Sequence, residues 1–138
     1  MFEHCLYFNT TALARTLERE WTKAFKPFGL TPSQAFMLRV VLAKPGLLQS
    51  ELAAELSISR STATRTLDGL QQLKLLERRA TDRDGRESAI EPTELAESMK
   101  DGINAASAEV TRRLKKELSV AKFDETVANV RAVRVGLE

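Results

Sequence analysis

The chain has 138 residues, of which 43% are hydrophobic and 29% are charged, and its net charge is +2. This length favours one domain, and the composition is that of an ordinary globular protein without the charge excess of a general polyanion binder. No apolar run of roughly 18 residues indicates a membrane span, and no basic stretch before an apolar one indicates a signal peptide. We therefore expect a cytoplasmic protein.

One cysteine, Cys5, and one histidine, His4, limit the chemistry that the chain can perform. A lone cysteine cannot form an intrachain disulfide, and a structural zinc site needs several Cys or His ligands. Neither a phosphate-binding loop nor a Ser-His-Asp set is recognisable. We therefore expect no metal, no cofactor and no enzymatic activity.

The N-terminal part of the chain predicts two helices. Apolar residues recur at intervals of three, four or seven over residues 6–28, which predicts a long first helix. Thr31 followed by Pro32 and Gln34 is typical of a capped helix start. The second helix should end near residue 42, before a Lys-Pro-Gly stretch.

A helix-turn-helix is predicted in the next segment. A short helix over residues 49–56 is broken by Ser57-Ile58, and Ser59 can cap the helix that follows. The residues expected to point inward from that second helix are Ala63, Leu67, Leu70 and Leu73. The residues expected to point outward are Arg60, Ser61, Thr64, Arg65 and Asp68.

A β-hairpin follows, with strands predicted at 76–80 and 87–91 and an Asp84-Gly85 turn signal between them. From Ser59 to Arg86 the chain has seven basic and four acidic residues, a local excess in a nearly neutral protein. A helix that fits the major groove, followed by a basic hairpin that reaches the minor groove, predicts a DNA-reading unit.

The outer helices predict a partner. Pro92-Thr93 indicates the start of a fifth helix of about 25 residues, and residues 123–135 predict a last helix. The first and last helices carry more apolar side chains than a helix-turn-helix needs, so a twofold dimer would cover them. We expect a mostly α fold with a small two- or three-stranded antiparallel wing. The expected parts are a single domain (1–138), a DNA-binding region (31–92) and dimerisation helices (1–28 and 93–138).

Several stretches, together with the order of elements, resemble the MarR family of bacterial winged helix-turn-helix regulators. The matching stretches are 50–56, 60–65, 70–78, 82–86 and 93–94. Leu48 departs from the pattern, because the family often has a helix-capping Ser or Thr there. Pro92 and Ala96 depart as well, where leucine and glycine are common.

The resemblance implies a homodimeric repressor that binds a palindromic operator in double-stranded DNA. It also implies an effector site between the DNA-binding and dimerisation parts. Carried over by position, the residues expected to contact DNA are Arg60, Ser61, Thr62, Thr64, Arg65 and Arg86. Ser59 and, as a phosphate contact, Arg83 are expected to join them. Among them, Arg86 is expected to enter the minor groove, and Asp84 is expected to brace the wing.

The signal to which the protein responds is left open by the sequence. One branch of the family, the organic-peroxide sensors, has a reactive cysteine near the position of Cys5, held by tyrosines that are replaced here by Trp21 and Pro32. Cys5 is therefore either a redox sensor for an oxidant or a cysteine that is inert or lines the effector site. Trp21, Phe25 and Phe36 either line a pocket for a small aromatic ligand or belong to the core. A helical interaction module without DNA binding is the third hypothesis.

Overall fold

The computed structural model describes residues 1–82 and 86–138. The elements in these residues are α1 (Leu6–Phe25), a 3₁₀ turn (Lys26–Phe28), α2 (Pro32–Ala43), β1 (Leu47–Leu48), α3 (Gln49–Leu56), α4 (Arg60–Gln72), β2 (Leu76–Ala80), β3 (Ser88–Pro92), α5 (Glu94–Leu118) and α6 (Val120–Leu137). The predicted mostly helical fold with a small antiparallel sheet is confirmed. Within the described residues, no helix combines the length and apolar character needed to cross a bilayer.

Side-chain caps start two of the helices where the sequence predicted them. Thr31 Oγ1 accepts the N–H of Gln34 at 3.2 Å, and Gln34 Oε1 accepts the N–H of Thr31 at 3.0 Å. This reciprocal pair is a capping box. Ser59 Oγ accepts the N–H of Thr62 at 3.2 Å, so α4 begins at Arg60.

The first helix is shorter and the last helix longer than the apolar pattern predicted. α1 ends at Phe25, and the 3₁₀ turn that follows it stops at Gly29, whose φ of 70° is readily adopted only by glycine. α6 begins at Val120 because the hydroxyl of Ser119 accepts a first-turn backbone N–H at 3.3 Å.

The sheet has three antiparallel strands in the order β1-β3-β2. β3 begins and ends one residue later than predicted, and Leu76 pairs with Pro92 at its far end. β1 contributes the pair Leu47 with Ile90 and is too short to show an alternating pattern in the sequence. The sheet ties the segment before α3 to the base of the wing.

The core lies between the helix-turn-helix, the whole length of α2 and the first part of α5. Its largest fully buried side chains are Phe25, Met37, Leu38, Val41, Leu52, Leu67, Leu70, Leu76, Ile90 and Ile103. α4 turns Ala63, Leu67 and Leu70 inward, as predicted. Leu73 was predicted to point inward and is instead 44% exposed, because α4 has ended and Leu73 is its C-cap.

The outer helices leave large apolar side chains on the surface. α6 has no buried residue, and its Val127, Val130 and Val133 are 42–51% exposed. These three positions repeat every third residue, so they share one face of the helix. On α1, Leu6 and Leu13 are also exposed.

A buried polar network joins α1, α2 and α5. The hydroxyl of Ser107, which is buried, accepts the indole N–H of Trp21 at 3.1 Å and an Nη1 hydrogen of Arg39 at 3.0 Å. Arg39 Nε also donates to Asn104 Oδ1 at 2.8 Å. Burial lowers the pKa of the Arg39 guanidinium from its ordinary value, but the group stays charged at neutral pH. These bonds fix α1 on α2 and α5.

Replacing Ser107 with alanine should lower the free energy of unfolding by about 1–3 kcal/mol, because two donors lose their acceptor inside the protein. Denaturant titration at one fixed protein concentration measures the change. Ser98→Ala is the matched control on the same helix, since Ser98 is exposed, and it should change stability by less than about 0.5 kcal/mol. Equal stability of the two variants would contradict the proposed importance of the network.

Candidate nucleic-acid interface and adjoining cleft

The surface of α4 presents most of the side chains that the sequence assigned to DNA. Those that are exposed are Ser59, Arg60, Ser61, Thr64 and Arg65. Thr62 differs from them because it is half-buried, and its Oγ1 accepts the hydroxyl of Ser59 at 3.0 Å. Thr62 also lines a cleft on the side of α4 that faces α1. The sequence analysis assigned Thr62 to the DNA-facing surface and did not predict that its side chain lies at the cleft.

Arg78 is turned toward α4 rather than outward. Its guanidinium contacts Asp68 Oδ1 at 2.7 Å and also donates to Gln71. The neighbouring Arg79 points to the other face of β2 and pairs with Glu77 at 3.7 Å. Arg78 therefore joins the wing to the end of the recognition helix.

The described part of the wing includes Arg86, which is exposed, and Glu87, which is half-buried. Arg83 and Asp84 lie outside the described residues, so the phosphate contact and the brace assigned to them stay predictions. The carboxylate of Glu87 contacts Ser50 at the start of α3. The sequence analysis missed Glu87, because a contact between residues 37 positions apart leaves no local pattern.

A polar cleft of about 240 Å³ brings the predicted major-groove and minor-groove residues together. Arg60 and Thr64 of α4 line one side, and Arg86 of the wing lines the other. Gln49 of α3 lies between them, and its Nε2 donates to Thr64 Oγ1 at 2.9 Å. Two basic side chains and several hydroxyls therefore face the same side of the molecule.

A larger and mostly apolar cleft of about 500 Å³ lies behind α4, between it and the outer helix α1. Its lining residues are Ala14, Leu17, Glu18 and Trp21 of α1, Pro32, Ser33 and Phe36 of α2, Leu56 of α3, Ile58 of the turn, and Thr62 and Thr66 of α4. Concave apolar sites with a few polar groups are typical of small-molecule binding. A ligand there would contact the recognition helix and α1 simultaneously.

Two of the three aromatic residues proposed for an effector pocket line this cleft. Trp21 and Phe36 are among the lining residues. Phe25 is fully buried and packs edge-on against Phe36, with the ring centroids 6.0 Å apart. Arg39 lies 5.0 Å from the centroid of the Phe36 ring. Phe25 and Arg39 therefore support the cleft wall rather than line it.

Cys5 is exposed and is the N-cap of α1, where its Sγ accepts the N–H of Phe8 at 3.5 Å. The indole N–H of Trp21 donates to Ser107 and not to the thiol. Pro32 has no N–H to donate. The two residues that replace the sensor tyrosines therefore give Cys5 no hydrogen bond in this arrangement. Among the described residues, no group of three His, Cys, Asp or Glu side chains is arranged to hold a metal.

A recognition helix held by a preceding short helix and followed by a three-stranded wing defines a winged helix-turn-helix protein, a class of DNA-binding transcription regulators. Residues 28–87 match the sequence model of the MarR family. This segment is therefore similar to the MarR family, as the sequence resemblance predicted, and it spans the helix-turn-helix and the wing up to the residue before β3.

Solved structures share the fold over nearly the whole chain. The S. aureus MepR–DNA complex aligns with 99% of this chain and 100% of that chain, at a TM-score of 0.89 and 20% identity. PcaV from Streptomyces coelicolor, in complex with its natural ligand, aligns with 100% and 97%, at 0.89 and 19% identity. The transcriptional repressor CouR, bound to a 23-mer DNA duplex, aligns with 96% and 94%, at 0.83 and 22% identity. No curated protein matches the chain by sequence.

Proposed function

We propose that the protein is a repressor that binds a palindromic operator as a homodimer and leaves it when a small ligand occupies the cleft behind α4. The observation that carries the proposal is the shared surface of Arg60, Thr64 and Arg86, which joins a recognition helix to a wing. In this proposal, residues 31–92 read the DNA and the outer segments 1–28 and 93–138 pair the two copies. The site of action is the cytoplasm, where bacterial DNA lies.

The homodimer is supported by the exposed apolar faces of the outer helices. These faces expose large apolar side chains to water: Val127, Val130 and Val133 on α6, and Leu6 and Leu13 on α1. Soluble monomers rarely expose large apolar patches of this kind. A second copy would cover the same surface on its partner by twofold symmetry. Two reading heads about one DNA turn apart then fit a palindrome.

The DNA-binding proposal is tested with the wild-type protein by selecting duplexes from a random pool and measuring affinity over a range of salt concentrations. We expect an inverted repeat and a steep fall of affinity with salt, because released counterions drive phosphate contacts. In vitro transcription from a promoter with the selected site should then be reduced. Selection of no sequence, together with no binding at low salt, would favour the interaction-module hypothesis.

The ligand proposal is supported by the place and the lining of the cleft. Thr62 and Thr66 belong to the recognition helix, while Trp21 and Glu18 belong to α1. A ligand between them would change the position of α4 relative to α1. It would therefore favour dimers in which the spacing of the two recognition helices does not match the operator. Because Glu18 is the charged group among the described lining residues, we propose that neutral or cationic aromatic compounds are preferred over organic anions.

Trp21 is the single tryptophan, so its fluorescence reports on this cleft. We expect an aromatic amine to change Trp21 emission at lower concentration than a carboxylate with the same ring. Glu18→Gln should reduce that preference by up to about fivefold, as exposed charge pairs contribute little. Glu3→Gln, which removes an acid elsewhere on the surface, is the charge-matched control. A carboxylate that binds more tightly than the amine would contradict the preference.

A further inference from the structure

Besides the Arg78 contact and the β1–β3 pairing, the carboxylate of Glu87 connects the wing to the helix-turn-helix. Its Oε1 accepts the backbone N–H of Ser50 at 2.9 Å, and its Oε2 accepts the hydroxyl of Ser50 at 2.9 Å. Both groups are half-buried, so the pair is partly shielded from water. A charged acceptor at this distance makes a stronger hydrogen bond than a neutral one.

α3 needs an acceptor from outside because its own N-cap provides none. The first N–H groups of a helix have no partner within the helix. Leu48 is the N-cap, and its buried hydrocarbon side chain makes no capping bond because it has no hydrogen-bond acceptor. Glu51 Oε1 accepts the N–H of Leu48 at 2.9 Å, which leaves the first-turn N–H of Ser50 to Glu87. A negative charge at this helix end is also favoured by the helix dipole.

The same two residues at the start of α3 also contact the recognition helix. Ser50 binds Glu87 of the wing, and the adjacent Gln49 donates to Thr64 of α4 at 2.9 Å. Glu87 directly follows Arg86 in the chain. Three hydrogen bonds that meet at the N-terminus of α3 therefore connect Thr64 of the recognition helix with Glu87, the residue next to Arg86.

We propose that Glu87 is a positioning residue for DNA binding: by capping α3 from the wing, it places Arg86 at a fixed distance from the recognition helix. The inference rests on the proposed operator binding. Glu87 itself contacts no DNA in this role. Its carboxylate acts only through Ser50.

The sign of the effect distinguishes this role from a general charge effect. Removing an acid from a DNA-binding surface ordinarily strengthens binding, because it removes repulsion of phosphates. We expect Glu87→Ala to weaken operator binding by about 5- to 30-fold, the factor that corresponds to one or two kcal/mol. Glu77→Ala, which removes an exposed acid from β2, is the control and should leave affinity unchanged or slightly higher.

The test measures operator affinity and hydroxyl-radical footprints for wild type, Glu87→Ala, Glu87→Gln, Ser50→Ala and the double variant. In Glu87→Ala we expect loss of protection in the flanking minor groove, while the major-groove contacts of α4 persist. Glu87→Gln keeps an acceptor and should recover part of the affinity. The double variant should bind the operator no more weakly than Glu87→Ala alone, because each substitution removes the same Glu87–Ser50 interaction.

Amide hydrogen exchange without DNA tests the contact independently. Exchange at the Ser50 amide and in β3 should speed up in Glu87→Ala and stay slow in Glu77→Ala. Unchanged exchange, or Glu87→Ala binding as tightly as wild type with an intact footprint, would overturn the inference while the proposed function stands. A wild-type protein that binds no DNA would overturn the proposed function, and the positioning role with it.

Discussion

Val130→Asp should separate the dimer into monomers and lower operator affinity by about 100-fold or more. Val130 lies at the middle of the exposed valine face of α6, where a charge would have to be buried against the second copy. A monomer binds one half of a palindrome and loses the gain that comes from linking two binding events, which reaches factors of 10² to 10⁴. Sedimentation equilibrium and operator titration at the same protein concentration measure both effects.

Ala132→Asp is the matched control for this variant, since it puts the same charge on the opposite side of α6, where Ala132 is also exposed. It should leave the dimer and the operator affinity close to those of wild type. Circular dichroism should show equal helix content in both variants. If Val130→Asp stayed dimeric, the valine face would not be the interface.

Arg65→Ala and Arg86→Ala should each weaken operator binding by about 1–3 kcal/mol, for different reasons. Arg65 lies on the outward face of α4, so its loss should either relax the choice of a base pair or reduce the salt dependence by about one ion. Arg86 lies in the wing, and a narrow A·T-rich minor groove attracts arginine. The loss in Arg86→Ala should therefore be smaller on operators with G·C-rich flanks.

Arg112→Ala is the control for both substitutions, because it removes one positive charge from α5, where Arg112 pairs with Glu109. Its operator affinity should fall only slightly. Gel-shift titration at two salt concentrations compares the three variants. Equal losses in all three would mean that net charge, and not the position of Arg65 or Arg86, determines binding.

Local signals in the sequence predicted most of the fold. The capping pairs at Thr31 and Ser59 and the Asp84-Gly85 turn signal act over four residues or fewer, so helix starts and the hairpin could be located without a structure. The end of α4 was less well predicted, because Leu73 continues the apolar spacing although the helix has ended. A periodic pattern shows which residues would share a face but not where the helix stops.

The sequence predicted the basic residues of the candidate site, but it did not predict the contacts that fix their positions. Arg60, Thr64 and Arg86 followed from the helix face and the wing. The roles of Glu87 and Gln49 depend on contacts between elements, and only the departure at Leu48 hinted that α3 lacked a cap of its own. Thr62 was assigned to DNA through the family resemblance, yet it lines the cleft between α4 and α1.

Thr62 and Thr66 line the cleft from α4, so the proposed ligand would contact the same helix that is proposed to read the operator. Thermodynamic linkage is reciprocal, so a ligand that weakens DNA binding is itself bound more weakly by the DNA-bound protein, by the same factor. A stronger operator therefore demands a higher ligand concentration before it is vacated. One regulator with one cleft would switch on its promoters in sequence, from the weakest operator to the strongest, as the ligand accumulates.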